Sequence, residues 1–259
     1  MQTRHPAFPS SASSSSPFSK VPAAIPSHIE SLLEKPISWF KEDSNRVSGA
    51  EKKTFVGFVL DKSGSMEPYR EVTIEGFNMA LDEFKKDPAT SFTLAQFSSD
   101  VEFTEKGVSI SHARKLSKET FNPSGYTSLY DGIGFTISEM LKLPMSGDAS
   151  SAFFITILTD GGENSSSTFT ATTLASIIER LSATGRWTFA LAGPAKDVKD
   201  LTELLKLDKS NVIGYTPDSM ASRLQISKAL AESASSYVTC RSMGATVVGS
   251  LYSHIEGDL

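Results

Sequence analysis

The chain has one cysteine, Cys240, so no disulfide can form within it. That fits a reducing compartment, and a cytoplasmic location is expected. Its four histidines stand at 5, 28, 112 and 254, and none has a second His or Cys at ligand spacing, which argues against a zinc site. No apolar run is long enough to span a bilayer, and the first residues lack the apolar stretch of a secretory signal. A net charge of -5 without a basic stripe leaves no footprint for nucleic acid. The Gly-x-Ser-x-Gly elbow, the P-loop and the His-Glu-x-x-His helix are missing. The expectation is a protein that binds, not an enzyme.

What is present divides unevenly along the chain. Of 259 residues, 39% are apolar, enough for one core once polar ends are set aside. Residues 1–26 are rich in Ser and Pro, with a run from Ser13 to Ser16. Such a composition cannot bury enough surface to offset its ordering entropy, so a disordered tail is expected. Residues 27–52 read as a short amphipathic segment and linker. Ile29, Leu32, Leu33, Ile37, Trp39 and Phe40 are apolar, Ser27 is a candidate helix cap, and Pro36 should interrupt the helix. The segment either packs on the main domain or offers Trp39 and Phe40 to a partner. The main domain is expected over residues 53–236, with an extension over 237–259.

Within the main domain, strand and helix patterns alternate. Residues 54–60 read as a buried strand, and 67–86 as a helix through Val72, Phe77, Leu81 and Phe84. Residues 91–97 alternate like a strand, which 101–104 can join as a hairpin. A short helix is expected near 113–118, and a longer one over 128–143, stopped by Pro144. Then follow a strand over 152–159, a helix over 170–184, a strand over 186–192, a helix over 196–207, a strand over 211–215 and a helix over 218–236. Such alternation implies right-handed crossovers and an α/β fold: a doubly wound, mostly parallel central sheet flanked by helices.

In such a sheet, ligands bind beyond the carboxyl ends of the strands. Three polar clusters fall at those positions. Asp61-x-Ser63-x-Ser65 follows the first strand, with Gly64 allowing a tight turn. Gly125-Tyr126-Thr127-Ser128 precedes a helix. Thr159-Asp160-Gly161-Gly162 follows a later central strand. The first pattern alone is weak, because serine is abundant here; its place between a strand and a helix, with the third cluster after another strand, gives it weight. Two carboxylates and several hydroxyls, without His or Cys, select a hard cation. Mg2+ fits best, with Mn2+ or Ca2+ as alternatives. An ion held by mostly neutral oxygens stays electron-poor, and an open position on it attracts an external carboxylate. Glu163 and Asn164 read more simply as a helix-entry turn, and Asp131 as a first-turn residue favoured by the helix dipole.

These residues resemble a von Willebrand factor type A domain with its metal-ion-dependent adhesion site, over roughly residues 53–236. Asp61, Ser63 and Ser65 match the family's Asp-x-Ser-x-Ser, Thr127 its isolated threonine, and Asp160 the aspartate of its Thr-Asp-Gly. The resemblance implies a Rossmann-like fold, direct coordination by the serines and the threonine, and aspartates that often act through water. It also implies a protein partner whose Asp or Glu completes the shell, within a multiprotein assembly. One departure is local: the family's Gly-Gly-Thr reads Gly125-Tyr126-Thr127, and Ser128 offers a neighbouring hydroxyl. Residues 67–78 resemble compact stand-alone members found in bacteria and their phages, which adds a phage particle made in the cytoplasm to the expected locations.

Two other functions compete. One is a Mg2+-dependent phosphohydrolase with Asp61 as nucleophile. Such enzymes usually carry a second Asp two residues on as general acid, and Ser63 stands there instead, unable to transfer that proton near neutral pH. The other is a structural subunit that binds through its tails, with a vestigial metal site.

Overall fold

The computed structural model describes residues 24–43, 52–216 and 220–252. The stretch expected to be a disordered tail falls outside them, apart from residues 24–26, as do residues 44–51 of the expected amphipathic segment and linker and residues 253–259 of the C-terminal extension.

The described residues form six strands: β1 (Thr54–Asp61), β2 (Thr90–Phe97), β3 (Val101–Ser109), β4 (Ala152–Leu158), β5 (Trp187–Pro194) and β6 (Val212–Tyr215). They form one sheet in the order β3-β2-β1-β4-β5-β6. Every pairing is parallel except β2 with β3, the expected hairpin at the edge. The helices are α1 (Ser27–Glu34), α2 (Ile37–Asp43), α3 (Arg70–Phe84), α4 (Leu129–Leu141), α5 (Ala171–Ala183), α6 (Ala195–Leu205) and α7 (Met220–Ser242). This is the doubly wound α/β sheet that the alternation predicts. Among the described residues no helix is long and apolar enough to cross a membrane.

The central strands explain why the sheet is covered on both sides. Every residue of β1 and of β4 is buried. Side chains alternate along a strand, so Val56, Phe58 and Leu60 join Phe77, Leu81, Phe84 and Tyr237 in one apolar layer with α3 and α7. Phe55 and Val59 join Phe153, Ile155, Ile133, Ile137 and Leu174 in the other, with α4 and α5. The rings of Phe55, Phe153 and Trp187 stack in series, with centroids 5.0 and 4.1 Å apart. Each large side chain so buried stabilises the fold by about 1.5–3 kcal/mol. At Gly57 the approach of α4 is so close that a Cβ would lie 2.6 Å from Met140 Sδ.

Register then places the polar clusters. Leu60 of β1 stands opposite Leu158 of β4. Asp61 therefore ends β1 level with Thr159, and Asp160 follows one residue later. β1 lies between β2 and β4, where the sequence order of the sheet reverses direction. That switch point is where open α/β sheets form binding crevices.

Four expectations need correction. No helix forms near 113–118; a short 3-10 turn (Ile110–His112) is followed by extended chain. There Asn78 takes both backbone groups of Leu116, at 2.8 and 3.0 Å, while Ala113 and Leu116 are buried. The helix expected from 67 begins at Arg70, after a 3-10 segment (Gly64–Tyr69) that holds Pro68. Ser27 does not cap α1: the cap position is Pro26, whose carbonyl accepts from Ile29 and Glu30. The helix expected over 218–236 runs on to Ser242 in α7, where Tyr237 is fully buried, and Val248, Leu251 and Tyr252 beyond it also reach the core. Arg241, buried near the end of α7, donates to the carbonyls of Lys53 and Ala245 and secures that extension.

The segment before β1 packs on the domain. Ile29, Leu32 and Phe40 are buried, and Arg180 of α5 donates to the carbonyls of Leu33 and Lys35. Trp39 stays exposed, with Lys35 Nζ 3.9 Å above its ring.

Candidate functional site

Asp61 is the buried anchor of the rim, with 0% of its surface exposed. Its Oδ1 accepts from the Ser63 N–H at 2.7 Å, and its Oδ2 from the Thr159 hydroxyl at 2.6 Å. Ser63 Oγ lies 3.1 Å from Ser65 Oγ, and Ser65 Oγ donates to Asp160 Oδ1 at 2.9 Å. Asp61, Ser63, Ser65 and Asp160, expected at one site, are thus joined in one continuous polar chain. Burial pushes the Asp61 carboxyl up, opposed by the hydrogen bonds of Ser63 and Thr159. Asp160 is pushed up to about 6, by burial first and by the charge of Asp61 second, with the Ser65 bond opposing and Asp197 adding a smaller rise.

Thr127 stands on the neighbouring loop, which backbone bonds tie to the Asp61 turn. Gly64 N–H donates to Gly125 O at 3.1 Å, and Ser124 N–H to Lys62 O at 2.8 Å. Gly125 has φ +80°, where L side chains are strained, and a Cβ there would meet Ser99 Oγ at 2.8 Å. That serine is needed in place, because its Oγ accepts from Tyr126 N–H at 3.1 Å. The Ser128 hydroxyl donates to Ser99 O at 3.1 Å. The Thr127 hydroxyl has no hydrogen-bond partner among the described residues, so of the two adjacent hydroxyls it is the one at liberty to bind an ion. Tyr126, 69% exposed, projects beside it.

The spacing of residues gave no sign of what holds the rim together. Thr159 fixes Asp61, as described. Glu163 Oε2 accepts from Tyr130 N–H at 3.0 Å and from Ser166 Oγ, and its Oε1 accepts from the N–H groups of Ser165 and Ser166. Asp131, 5% exposed, accepts from the N–H groups of Ser167, Thr168 and Phe169. Both carboxylates sit at the start of α4, where the dipole favours negative charge, as expected for Asp131. They also pin the loop of residues 159–170 to α4. Glu163 and Asn164 do not form the expected helix-entry turn, since α5 begins at Ala171 after its cap Thr170: they bridge two arms of the rim over more than thirty residues of sequence. Only the Glu-Asn pair directly after Thr-Asp-Gly-Gly could have hinted at this.

The donor set fits a hard cation. Among the described residues no group of three or more His, Cys, Asp or Glu is placed to hold a metal. An ion here would rest on two carboxylates and neutral hydroxyls. Mg2+ takes octahedral ligands at about 2.0–2.1 Å, so neighbouring oxygens should be about 2.9 Å apart. The Ser63–Ser65 and Ser65–Asp160 spacings, 3.1 and 2.9 Å, match that edge. The same spacings serve as hydrogen bonds without an ion, so charge carries more weight than distance. No Lys, Arg or His among the described residues pairs with Asp61 or Asp160; the nearest in sequence, Lys62, is bound to Glu102 at 2.8 Å. A divalent cation would supply the missing positive charge.

No family model matches this sequence, and no curated protein does. Solved structures do resemble it. The pilus adhesin SpaC from Lactobacillus rhamnosus GG, in its open conformation, gives a TM-score of 0.54 at 13% identity, over 74% of this chain and 31% of that one. The PilB minor pilin from Streptococcus sanguinis gives 0.50 at 12% identity, over 71% of this chain and 61% of that one. A von Willebrand factor type A structure from Catenulispora acidiphila gives 0.48 at 16% identity, over 72% and 43%. The chain spans less than two thirds of each of these structures. The likeness is one of fold, a doubly wound, mostly parallel α/β sheet flanked by helices.

Proposed function

We propose that this chain is a Mg2+-dependent protein-binding module. Asp61, Ser63, Ser65, Thr127 and Asp160 form its metal-ion-dependent adhesion site, and a partner Asp or Glu completes the coordination. The observation that carries this reading is a carboxylate pair, buried Asp61 and half-buried Asp160, both pushed up, with hydroxyls between them and no Lys, Arg or His paired with either among the described residues. The bound ion supplies an electrophilic position for an incoming carboxylate. The chain's own residues supply the rest. Asp61 and Asp160 provide charge, Ser63, Ser65 and Thr127 provide neutral oxygens, and exposed Tyr126 gives the partner a rigid amphipathic surface next to the ion.

A binding role is favoured over phosphoryl transfer. Asp61 is buried, and both of its oxygens accept hydrogen bonds, whereas a nucleophilic carboxylate needs an open oxygen. Two of the structurally similar proteins are a pilus adhesin and a minor pilin, which agrees with a role within an assembly. The compact stand-alone type of bacteria and phages, and a cytoplasmic location, remain part of the proposal. The test is co-purification from the native source in Mg2+ and in chelator, with Asp160→Ala as control. A partner retained only by the wild type in Mg2+ is the expected result. A partner retained equally in chelator would refute a metal-dependent module.

A further inference from the structure

Resting on that reading of the site, we propose that Asn164 is a positioning residue: it aims the Thr127 hydroxyl at the ion and couples the Thr127 arm to the Asp160 arm. Asn164 grips Thr127 at both backbone groups. Its Oδ1 accepts from Thr127 N–H at 2.9 Å, and its own N–H donates to Thr127 O at 3.0 Å. Ser165 N–H adds a second bond to the same carbonyl at 3.1 Å. The Thr127 side chain has no hydrogen bond of its own among the described residues, so its direction follows from where its backbone is held and from the packing around it.

Asn164 is itself held firmly. It lies four residues after Asp160, on the loop that Glu163 and Asp131 fasten to α4 through bonds to Tyr130, Ser166, Ser167, Thr168 and Phe169. Asp160 and the group that places Thr127 therefore stand on one short loop, fastened to α4 from Glu163 onward. The opposite side of the Thr127 loop rests on Ser99 and Gly64, so removing the Asn164 acceptor frees one side of it without collapsing the loop. Groups that orient metal ligands from behind typically change metal affinity 10–100-fold when removed.

The experiment is a double-mutant cycle with Mg2+ as the probe, read by calorimetry, on wild type, Asn164→Ala, Thr127→Val and the double variant. The coupling predicts that Asn164→Ala weakens Mg2+ about 10-fold or more, and that the double variant binds no more weakly than Thr127→Val alone. Unchanged affinity in Asn164→Ala, or losses that multiply in the double variant, would overturn the coupling while leaving the metal site standing. Wild type that takes no Mg2+ would overturn the site and the coupling together. Asn164→Asp, which keeps the acceptor for Thr127 N–H, should bind Mg2+ at least as tightly as wild type. If Asn164→Ala fails to fold, this variant still decides: 10-fold weaker binding by Asn164→Asp would contradict the coupling.

Discussion

Four acidic side chains at the rim of the sheet form two pairs that the fold treats in opposite ways. Asp131 and Glu163 are saturated: backbone N–H groups of Ser167, Thr168 and Phe169 converge on one, and those of Tyr130, Ser165 and Ser166 on the other. Asp61 and Asp160 are not satisfied in this way. Asp61 takes the Ser63 N–H and the Thr159 hydroxyl, with the Ser63 hydroxyl and the Asp160 N–H also acting on it, Asp160 takes the Ser65 hydroxyl, and burial still pushes both up. A carboxylate removed from water is costly unless its charge is met. The first pair is met by the protein and builds the frame. The second is left short of positive charge at the switch point of the sheet, which is where an external cation gains most.

The sharpest way to break this contrast is to delete an acid from the saturated pair. Asp131→Ala leaves the N–H groups of Ser167, Thr168 and Phe169 without their acceptor. It should cost about 3 kcal/mol in urea denaturation, with or without Mg2+. Next in size is Asp160→Asn. Metal-free, it should be as stable as wild type or more so, because it removes a charge that the fold leaves uncompensated. Wild type should gain about 2.7 kcal/mol from Mg2+ at one hundred times its dissociation constant, and the variant should gain nothing. A metal-free Asp160→Asn that unfolds as readily as Asp131→Ala would erase the distinction between the pairs.

Acidity offers a smaller effect of definite sign. Asp160 is at about 6 in the folded chain and at 3.8 in its ordinary state, so between those values the folded protein holds more protons than the unfolded one. The contribution is fully present below the ordinary value and is lost as pH rises through about 6. Metal-free wild type should therefore gain stability relative to Asp160→Asn when pH is lowered from 7 to 5, and its apparent Mg2+ affinity should fall over the same range. Thermal melts of both proteins in chelator check the first point. The smallest structural effect belongs to Tyr126→Ala, exposed on the rim: a change within about 0.5 kcal/mol in stability and unaltered Mg2+ affinity, but weaker partner retention.

Much of this was legible in the chain itself. Near-continuous apolar runs around Phe58 and Ile155 marked the central strands, and Asp61, Ser63, Ser65 and Asp160 drew attention because they follow such strands. The physics there is local, or follows from strand register. What stayed hidden was non-local. Nothing in spacing shows that Asn164 grips Thr127 or that Asp131 collects the N–H groups after Ser166, because those contacts exist only once β1, β4 and α4 are assembled. The helix expected near 113–118 failed for the same reason: Asn78 on α3 claims the backbone of Leu116 from afar. The limits of α7 were missed because Tyr237 and Tyr252 look like an ordinary polar-to-mixed extension until they are seen buried.

The Asp61–Asp160 pair has no protein cation paired with it among the described residues, and Mg2+ is proposed to provide the missing charge. That role is tested most directly by calorimetric titration of Mg2+ into wild type, Asp61→Ala and Asp160→Ala at pH 7, with circular dichroism to confirm that each protein is folded. Saturable one-site binding to wild type, and none to either folded variant, is the expected result. Equal heats in all three, or no binding to wild type, would contradict it.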